Sequence, residues 1–356
     1  MSMRVLFLQQ QPCVRALKYA VALRASRPDI RLAFAYRGVT LSGLYGNGDE
    51  LFERWFKLRN GLERDLRSTL GEFKPDLIHS HNLPDALTVL ALEITNGSIP
   101  VVHDIHDLQS LRQTPYEDGF PEPREAIALE KRAVEESAAL LTVSEELLNE
   151  IGVRHRLPPR VLTFPNYALR RDLPSELPPP DRPRNGTLRL VYQGTLAVND
   201  GHYDLRDLFA TITAANMKLD VYPNRPIPDY RGLGLDIRRT LPPAQLFAAL
   251  PAYDLGWAGF NTSLNGAHLD TVLPNKVFEY LGCGLPVLTL RHKALARLVD
   301  AHGVGVVLDG LDNLAERVEA LDLVKLRRQV AGIRFDLTVE ARISKVVEFY
   351  ESVLRA

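Results

Sequence analysis

The stretch from Leu273 to Leu290 constrains the fold more than any other part of the chain. Pro274 and Asn275 are typical of a helix start, Gly284 is typical of a helix end, and an apolar strand follows at once. A helix that leads directly into a strand is half of an α/β unit, so we expect a parallel sheet covered by helices. Asn275 is the predicted N-cap, with a side-chain oxygen that accepts one backbone amide of the first turn.

Two charged residues of this predicted helix are candidates for ligand binding. Lys276 lies in the first turn, where a cation opposes the helix dipole unless an anion such as phosphate lies beside it. Glu279 follows on the same face, and a carboxylate there can accept hydrogen bonds from a vicinal diol such as a ribose. The alternative is a surface Lys–Glu pair worth ~0.3 kcal/mol.

The composition narrows the class of protein. A chain of 356 residues is long for one hydrophobic core and is expected to form two domains. The 43 basic and 44 acidic residues give a net charge of −1, which gives no support for broad nucleic-acid binding. Cys13 and Cys283 are far apart and lack a metal-ligand spacing, so neither a disulfide framework nor a zinc site is indicated.

The hydrophobic runs are too short for a signal-peptide core or a membrane-spanning helix, so we expect a cytoplasmic protein. A predicted helix from Leu51 to Leu70 has apolar residues along one side, with arginines among its polar residues. Such a helix can lie on a membrane, which would give the N-terminal domain a peripheral contact with the inner face of a membrane. The alternative is a helix that packs on the core and exposes its charged face.

Strands and helices alternate through both halves, which predicts two doubly wound α/β domains. A segment rich in proline and charge separates the halves and marks a linker. The predicted organisation is an N-terminal Rossmann-like domain at 1–172, a linker at 173–187, a C-terminal Rossmann-like domain at 188–335 and a terminal helix at 336–356.

The loop after the first strand, residues 9–13, contains no glycine. A dinucleotide fingerprint and a Walker loop both need glycine for the close approach of backbone to phosphate. Neither motif is therefore present at this position.

Polar side chains end several predicted strands of the N-terminal half. One strand ends at His81, and the next contains His103 and ends at His106 and Asp107. Because ligands of open α/β sheets bind outside the carboxyl ends of strands, these tips are candidate site residues. Ser144 ends a third strand, where capping of the next helix already explains it.

The stretch around Lys276 and Glu279 resembles the donor-binding signature of the GT-B glycosyltransferases, in particular the large retaining family four. That signature is Pro-x-Lys-x-x-Glu-Tyr-x-x-x-Gly-x-Pro-Val, and this chain matches it with Pro274, Lys276, Glu279, Tyr280, Gly284, Pro286 and Val287. Two strands are also similar to those of the family: Asp-x-Ile-His-x-His at 76–81 and Pro-Val-Val-x-Asp-x-His-Asp at 100–107. The resemblance implies two Rossmann-like domains facing a cleft, with a C-terminal helix that crosses back to the N-terminal domain.

The resemblance also implies roles for residues of the C-terminal half. Glu279 would hold the nucleotide ribose, and the strand-to-helix loop at Gly194 and Thr195 would face the donor phosphates. Thr271 stands where many members have an acid that faces the donor sugar, and Asn275 and Lys276 complete the donor-binding set. The Arg and Lys that the phosphate loop usually brings are missing here, which leaves more of the phosphate charge to Lys276.

In the N-terminal half, the resemblance makes His106 and Asp107 catalytic candidates together with Lys276. His81, His103 and Ser144 would lie on the acceptor side.

The implied activity is transfer of a hexosyl group from a nucleotide-diphosphate sugar to an acceptor hydroxyl, with retention of configuration. The acceptor would be a carbohydrate, a lipid-linked molecule or a small molecule, in polysaccharide, glycolipid or glycoconjugate synthesis. The sequence has no Asp-x-Asp cluster of the kind that holds a divalent ion, so neither a metal nor a cofactor is expected. The alternatives are a nucleotide-sugar 2-epimerase of the same fold and a non-catalytic partner subunit that binds sugar nucleotides.

Overall fold

The computed structural model describes residues 3–113, 123–182 and 186–356. Residues 1–2 and 114–122 of the predicted N-terminal domain, and 183–185 of the predicted linker, lie outside the described part. The described strands are β1 (Arg4–Gln9), β2 (Arg31–Tyr36), β3 (Arg54–Lys57), β4 (Leu77–His81), β5 (Val101–Ile105), β6 (Ala139–Thr142), β7 (Val161–Thr163), β8 (Arg189–Gly194), β9 (Lys218–Pro223), β10 (Asp236–Ile237), β11 (Leu255–Trp257), β12 (Val287–Leu290) and β13 (Gly305–Leu308).

Helices connect these strands in both halves of the chain. They are α1 (Val14–Ser26), α2 (Leu41–Tyr45), α3 (Leu62–Phe73), α4 (Ala86–Thr95), α5 (Pro123–Glu136), α6 (Glu145–Arg154), α7 (Arg206–Ala214), α8 (Pro243–Ala249), α9 (Gly266–Leu269), α10 (Asn275–Gly282), α11 (Lys293–His302), α12 (Leu314–Glu319), α13 (Leu323–Ile333) and α14 (Val339–Leu354). None of the helices in the described part of the chain is long and apolar enough to cross a membrane.

The first compact unit comprises Met1–Pro165 and Val339–Ala356. Its seven strands form a parallel sheet in the order β3-β2-β1-β4-β5-β6-β7. The central strands are buried along nearly their whole length, as expected for a parallel sheet covered on both faces. Helix α14 packs against α1 of this unit, which confirms the prediction that the terminal helix returns to the N-terminal domain.

The predicted helix from Leu51 to Leu70 is wrong. Residues Arg54–Lys57 form the edge strand β3, and a helix begins only at Leu62. The aromatic residues decide the matter, because the Trp55 ring stacks on Phe34 of β2 with centroids 4.9 Å apart. An irregular segment at 58–61, which ends at Gly61 as the N-cap of α3, separates the strand from the helix.

The helix that does form, α3, is amphipathic and faces the core. It buries Leu66, Leu70 and Phe73 in the first unit. The structure therefore agrees with the alternative in which the helix packs on the core. The continuous basic helix that would support a membrane contact does not form.

The second unit comprises Asn166–Thr338. Its six strands form a parallel sheet in the order β10-β9-β8-β11-β12-β13, so the prediction of two doubly wound α/β domains is confirmed. The start of the predicted linker packs on this unit: Leu173 lies in its core, and Arg334 donates hydrogen bonds to the carbonyls of Pro174 and Ser175 at 2.7 and 2.9 Å.

Candidate functional site

The strand order of the second sheet reverses between β8 and β11. These two strands pair only at Leu190 with Leu255 and at Val191 with Gly256. The last residues of β8 therefore extend beyond β11 and leave backbone groups at the carboxyl edge. In open α/β sheets, ligands bind at such a reversal.

Tyr280 of α10 occupies this gap. Its hydroxyl accepts a hydrogen bond from the backbone N–H of Gln193 at 3.0 Å and lies 3.4 Å from the carbonyl oxygen of Val191. The ring crosses Gly256, where a Cβ atom would lie 2.4 Å from the Tyr280 Cδ2 atom. This contact fixes the helix that carries Lys276 and Glu279 against the end of β8.

Lys276 lies in the first turn of α10 with 8% of its surface exposed. Its Nζ atom has no hydrogen-bond acceptor among the described residues, and lies 3.8 Å from the Tyr192 ring centroid and 5.6 Å from that of Phe260. Burial lowers the pKa of Lys276 to about 7, although the Glu279 carboxylate acts in the opposite direction. A buried ammonium that contacts ring faces and no anion is suited to a negatively charged ligand.

Glu279 is half-buried one turn further along α10. Its Oε2 atom accepts a hydrogen bond from Gln193 Nε2 at 2.7 Å. A carboxylate has about four lone-pair sites and is a group that can accept hydrogen bonds from the hydroxyls of a diol. The bond from Gln193 orients this carboxylate at the edge of the sheet.

The loop after β8 lies beside Lys276. Gly194 has a φ of 120°, in the range that favours glycine, and a Cβ atom there would lie 3.5 Å from the Lys276 Nζ atom. The Thr195 carbonyl accepts a hydrogen bond from the Tyr192 hydroxyl at 2.6 Å, and its Oγ1 accepts one from Asn224 at 3.1 Å. The structure thus brings the predicted residues Gly194, Lys276 and Glu279 together at one edge of the sheet.

Two other predicted donor-binding residues have local structural contacts. The Thr271 hydroxyl donates to the backbone carbonyl of His268 at 2.7 Å, and Thr271 is 1% exposed. The prediction that Asn275 is the N-cap is wrong: Pro274 is the N-cap, in extended conformation, and Asn275 is the first helical residue. The proline's fixed φ suits this extended position, so the helix begins one residue earlier than it would with Asn275 as the cap.

The first sheet reverses its strand order between β1 and β4. His106 and Asp107 follow β5 near this carboxyl edge, and both are half-buried. The side chain of Asn82 holds them by accepting from the His106 N–H at 3.1 Å and donating to the Asp107 carbonyl at 2.5 Å. The buried His106 Nδ1 atom has no hydrogen-bond partner in the described part of the chain.

The three predicted acceptor-side residues are all buried. His103 contacts Asp85 at 3.2 Å and Thr88 at 3.1 Å, and Ser144 caps α6 by accepting from the Leu147 N–H at 3.0 Å. The capping interpretation of Ser144 is therefore confirmed. His81 is 0% exposed and lies in the core of the first unit.

His81 belongs to a buried polar cluster formed with Arg15, His79 and Asp104. The Asp104 Oδ2 atom lies 2.8 Å from Arg15 Nε, 3.1 Å from His79 Nε2 and 3.4 Å from His81 Nδ1. Burial alone would raise the pKa of Asp104, but Arg15 and the two histidines hold it well below its usual range. The other ring nitrogen of His79 lies 2.5 Å from the hydroxyl of Tyr350 on α14.

This cluster has ligand types that bind metals, but its geometry does not suit a metal ion. The His79 and His81 rings are stacked, with centroids 4.4 Å apart and planes 9° from parallel. Imidazole lone pairs lie in the ring planes, so nearly parallel stacked rings cannot both point at one ion. The Arg15 guanidinium also lies against the carboxylate oxygen that a cation would need.

Sequence reasoning missed Gln193 and Asn82, which hold the candidate residues in place. Both are amides at the carboxyl end of a strand beside an order reversal, and that position is a signal that could have identified them. Gly256 was also missed, because a glycine inside a short strand indicates a close approach only when its partner, here Tyr280, is known.

Two family models match the sequence. The model described as glycosyltransferase family 4 matches residues 13–167, and the model described as glucosyltransferase 3-like, C-terminal domain, matches residues 202–338. No curated protein matches the sequence.

Solved structures share the fold over nearly the whole chain. Sucrose-phosphate synthase from Thermosynechococcus elongatus is 13% identical with a TM-score of 0.69, and the match covers 99% of each chain. Anabaena HepE in complex with UDP and glucose is 15% identical with a TM-score of 0.70, covering 98% of this chain and 100% of that chain. A putative UDP-N-acetylglucosamine 2-epimerase from Listeria monocytogenes is 14% identical with a TM-score of 0.62, and the match covers 99% of this chain and 96% of that chain.

Two parallel doubly wound units with a returning terminal helix, each with polar residues at the carboxyl edge of its sheet, define the GT-B fold. The two family models are both glycosyltransferase models and between them match most of the chain. The chain has the fold of the GT-B glycosyltransferases, and each of its halves matches a model of a glycosyltransferase domain, that of family 4 in the N-terminal half.

Proposed function

We propose that this chain is a retaining, metal-independent glycosyltransferase that moves a hexosyl group from a nucleoside-diphosphate sugar to an acceptor hydroxyl. The pathway class is the synthesis of a polysaccharide, glycolipid or glycoconjugate. The observation that supports the proposal most is the buried Lys276 ammonium beside Gly194, without an acceptor in the described part of the chain. Since an unpaired buried charge is costly, a bound diphosphate is its natural complement.

The rest of the edge suits the remainder of a nucleotide. Glu279, oriented by Gln193, offers a carboxylate to the ribose diol. Because the similar protein HepE was solved in complex with UDP and UDP-glucose, uridine diphosphate sugars are the first donors to test.

Breaking the anomeric bond places negative charge on the leaving diphosphate. A preorganised ammonium at Lys276 would stabilise that charge more in the transition state than in the ground state, where the oxygen that will carry the charge is still bonded to the anomeric carbon. The positive charge that a divalent cation supplies in other enzymes would then come from the chain itself. Metal independence and retention are both parts of this proposal.

On the first sheet, we propose that His106 and Asp107 act on the sugar or the acceptor. Imidazole can hydrogen-bond a sugar hydroxyl or exchange its proton near neutral pH, and the carboxylate can orient the ring. Asn82 binds the backbone of both residues through its side-chain Oδ1 and Nδ2 atoms, which gives the pair a defined position at the end of β5.

One experiment tests the central claim. The purified protein is screened by thermal shift against nucleoside-diphosphate sugars, and the donors that stabilise it are incubated with and without candidate acceptors in EDTA. Donor-dependent transfer that survives EDTA, with product of the donor's anomeric configuration by NMR, supports the proposal. A donor epimerised without acceptor would identify a 2-epimerase. Donor binding with neither transfer nor slow donor hydrolysis would identify a non-catalytic binding subunit. Activity that EDTA abolishes and magnesium or manganese restores contradicts metal independence.

A further inference from the structure

Gln193 contacts two consecutive residues of the signature helix. Its backbone N–H donates to the Tyr280 hydroxyl at 3.0 Å, and its side-chain Nε2 donates to Glu279 Oε2 at 2.7 Å. Gln193 is 4% exposed, so water competes little for either group. Gln193 therefore links the end of β8 both to the position of α10 and to the orientation of the Glu279 carboxylate.

The chemistry of the amide suits this contact. An amide N–H is a neutral donor, so it can fix a carboxylate and leave its negative charge in place. A lysine or arginine at the same position would neutralise that charge. A fixed, fully charged carboxylate binds a vicinal diol more tightly than a mobile one, because no side-chain freedom is lost when the ligand binds.

The same charge acts on Lys276. Burial lowers the pKa of this lysine to about 7, and the Glu279 carboxylate is the charged group that raises it. The other groups that face the ammonium are the Tyr192 ring of β8, the Phe260 ring and the backbone at Gly194. Burial raises the pKa of the Tyr192 hydroxyl well above its ordinary value, so that group remains neutral. Glu279 is thus the acidic partner whose position affects the charge of Lys276.

We propose that Gln193 is a positioning residue for nucleotide recognition: it holds the Glu279 carboxylate charged and oriented for the ribose, and thereby supports the ammonium that receives the diphosphate. The inference rests on the proposed function and deepens it. In this proposal, the Gln193 side chain at the end of β8 couples the ribose contact of Glu279 to the diphosphate contact of Lys276.

The first test removes the amide at nearly constant length. Gln193→Met is expected to weaken UDP-glucose binding about tenfold by titration calorimetry, the value of one hydrogen bond to a charged group. In a Glu279→Gln background the same substitution is expected to change affinity by less than about twofold, because its partner charge is gone. Gln245→Met, an exposed glutamine on α8, is the matched control and should leave affinity unchanged.

The second test distinguishes positioning from packing. Gln193→Glu keeps the shape but places a second carboxylate against Glu279, so binding should fall more than with methionine at about pH 7.5. As the pH is lowered to about 5.5, one of the paired carboxyls takes up a proton and can donate the missing hydrogen bond, so affinity should recover. UDP-glucose is the probe because its phosphates carry no group that titrates in this range. Each affinity is divided by that of the natural protein at the same pH, because the pKa of Lys276 is about 7 and its protonation strengthens diphosphate binding in both proteins. A packing defect would leave this ratio unchanged between the two pH values.

The outcomes separate the two claims. If the natural protein binds none of the nucleoside-diphosphate sugars, the proposed function fails and this inference with it. If it binds one, and Gln193→Met binds equally well or loses the same affinity in both Glu279 backgrounds, only the positioning role is overturned. If both variants unfold without ligand, as measured by circular dichroism, Gln193 is a structural residue and the inference is wrong.

Discussion

The aromatic ring of Tyr280 lies across Gly256, so closely that a Cβ atom at residue 256 would be 2.4 Å from the ring. The tyrosine hydroxyl thereby reaches the end of β8 and accepts the N–H of Gln193. The glycine on β11 thus allows α10 to be fixed against the neighbouring strand β8, at the point where the strand order reverses.

Gly256→Ala is expected to destabilise the protein by about 1–3 kcal/mol, the cost of overpacking a filled core. It should also weaken nucleotide binding, because the helix that carries Lys276 and Glu279 must shift. The free energy of unfolding from urea titration measures the first effect and calorimetry the second. Gly332→Ala is the matched control: this glycine is exposed in α13 with open space around it, so alanine should be neutral or stabilising. Equal effects at the two glycines would contradict the close-contact argument.

Glu279→Ala should weaken binding of the bare nucleoside diphosphate and not only of the nucleotide sugar, since the proposed contact is with ribose. The expected loss is on the order of 1.5–3 kcal/mol, that of a hydrogen bond to a charged group. Titration with UDP and with UDP-glucose measures it. Unchanged affinity for UDP would remove Glu279 from the ribose site.

The fold was largely predictable from the sequence, and the exception is instructive. The strand β1 is a mostly apolar run, and β5 is an apolar run that turns polar towards its carboxyl end; in both, the predicted strand and the structure agree. The sequence predicts a helix for the segment with Trp55 because its aromatic residues are three and four positions apart, which is helical spacing. What decided its structure was Phe34 on the neighbouring strand, and that contact is not visible in the local sequence.

The candidate site was predictable only in part, for a related reason. Lys276 and Glu279 were found because helix position and charge make them chemically unusual. Gln193 was not found, because an amide at a strand end acquires its role only through the residue it contacts across the fold. His103 and Ser144 show the converse, since a polar residue near a strand tip can also make its contacts inside the core, as His103 does with Thr88 and Ser144 with the Leu147 N–H.

The pH dependence of ligand-free stability should show the depressed pKa of Lys276. Its pKa is about 7 in the folded protein, against 10.5 for a lysine side chain surrounded by water, as in the unfolded chain. Between these values the unfolded chain binds the extra proton, so this residue's contribution makes stability rise with pH from about 7 to about 10.5. In Lys276→Met that contribution should be absent. Urea titrations of both proteins across this range give the comparison, and identical pH profiles would show that the lysine is solvated in the folded state.

Turnover should depend on Lys276 more than affinity does. Its proposed partner gains negative charge as the glycosidic bond breaks, so Lys276→Met should lower kcat by a larger factor than it raises the donor KM. Steady-state kinetics with a saturating acceptor give both constants. A variant with normal kcat and only a raised KM would assign the lysine to ground-state binding.

His106→Ala should abolish most of the transfer while leaving nucleotide affinity intact, since every proposed nucleotide contact comes from the second unit. The imidazole would hydrogen-bond a sugar hydroxyl or handle its proton, a contribution of typically about 10²- to 10⁴-fold in rate. The buried Nδ1 atom of His106, without a partner in the described part of the chain, and the backbone hold by Asn82 both fit a side chain fixed for a ligand. His155→Ala is the control for a histidine of the same unit that is buried and hydrogen-bonded to Glu130 at 2.7 Å; it should lower stability more than it lowers the transfer rate of the folded protein. Transfer rate, UDP affinity and unfolding free energy are measured on both variants. Full activity of His106→Ala would make the residue a structural end to β5, and loss of UDP affinity together with activity would indicate a disturbed fold.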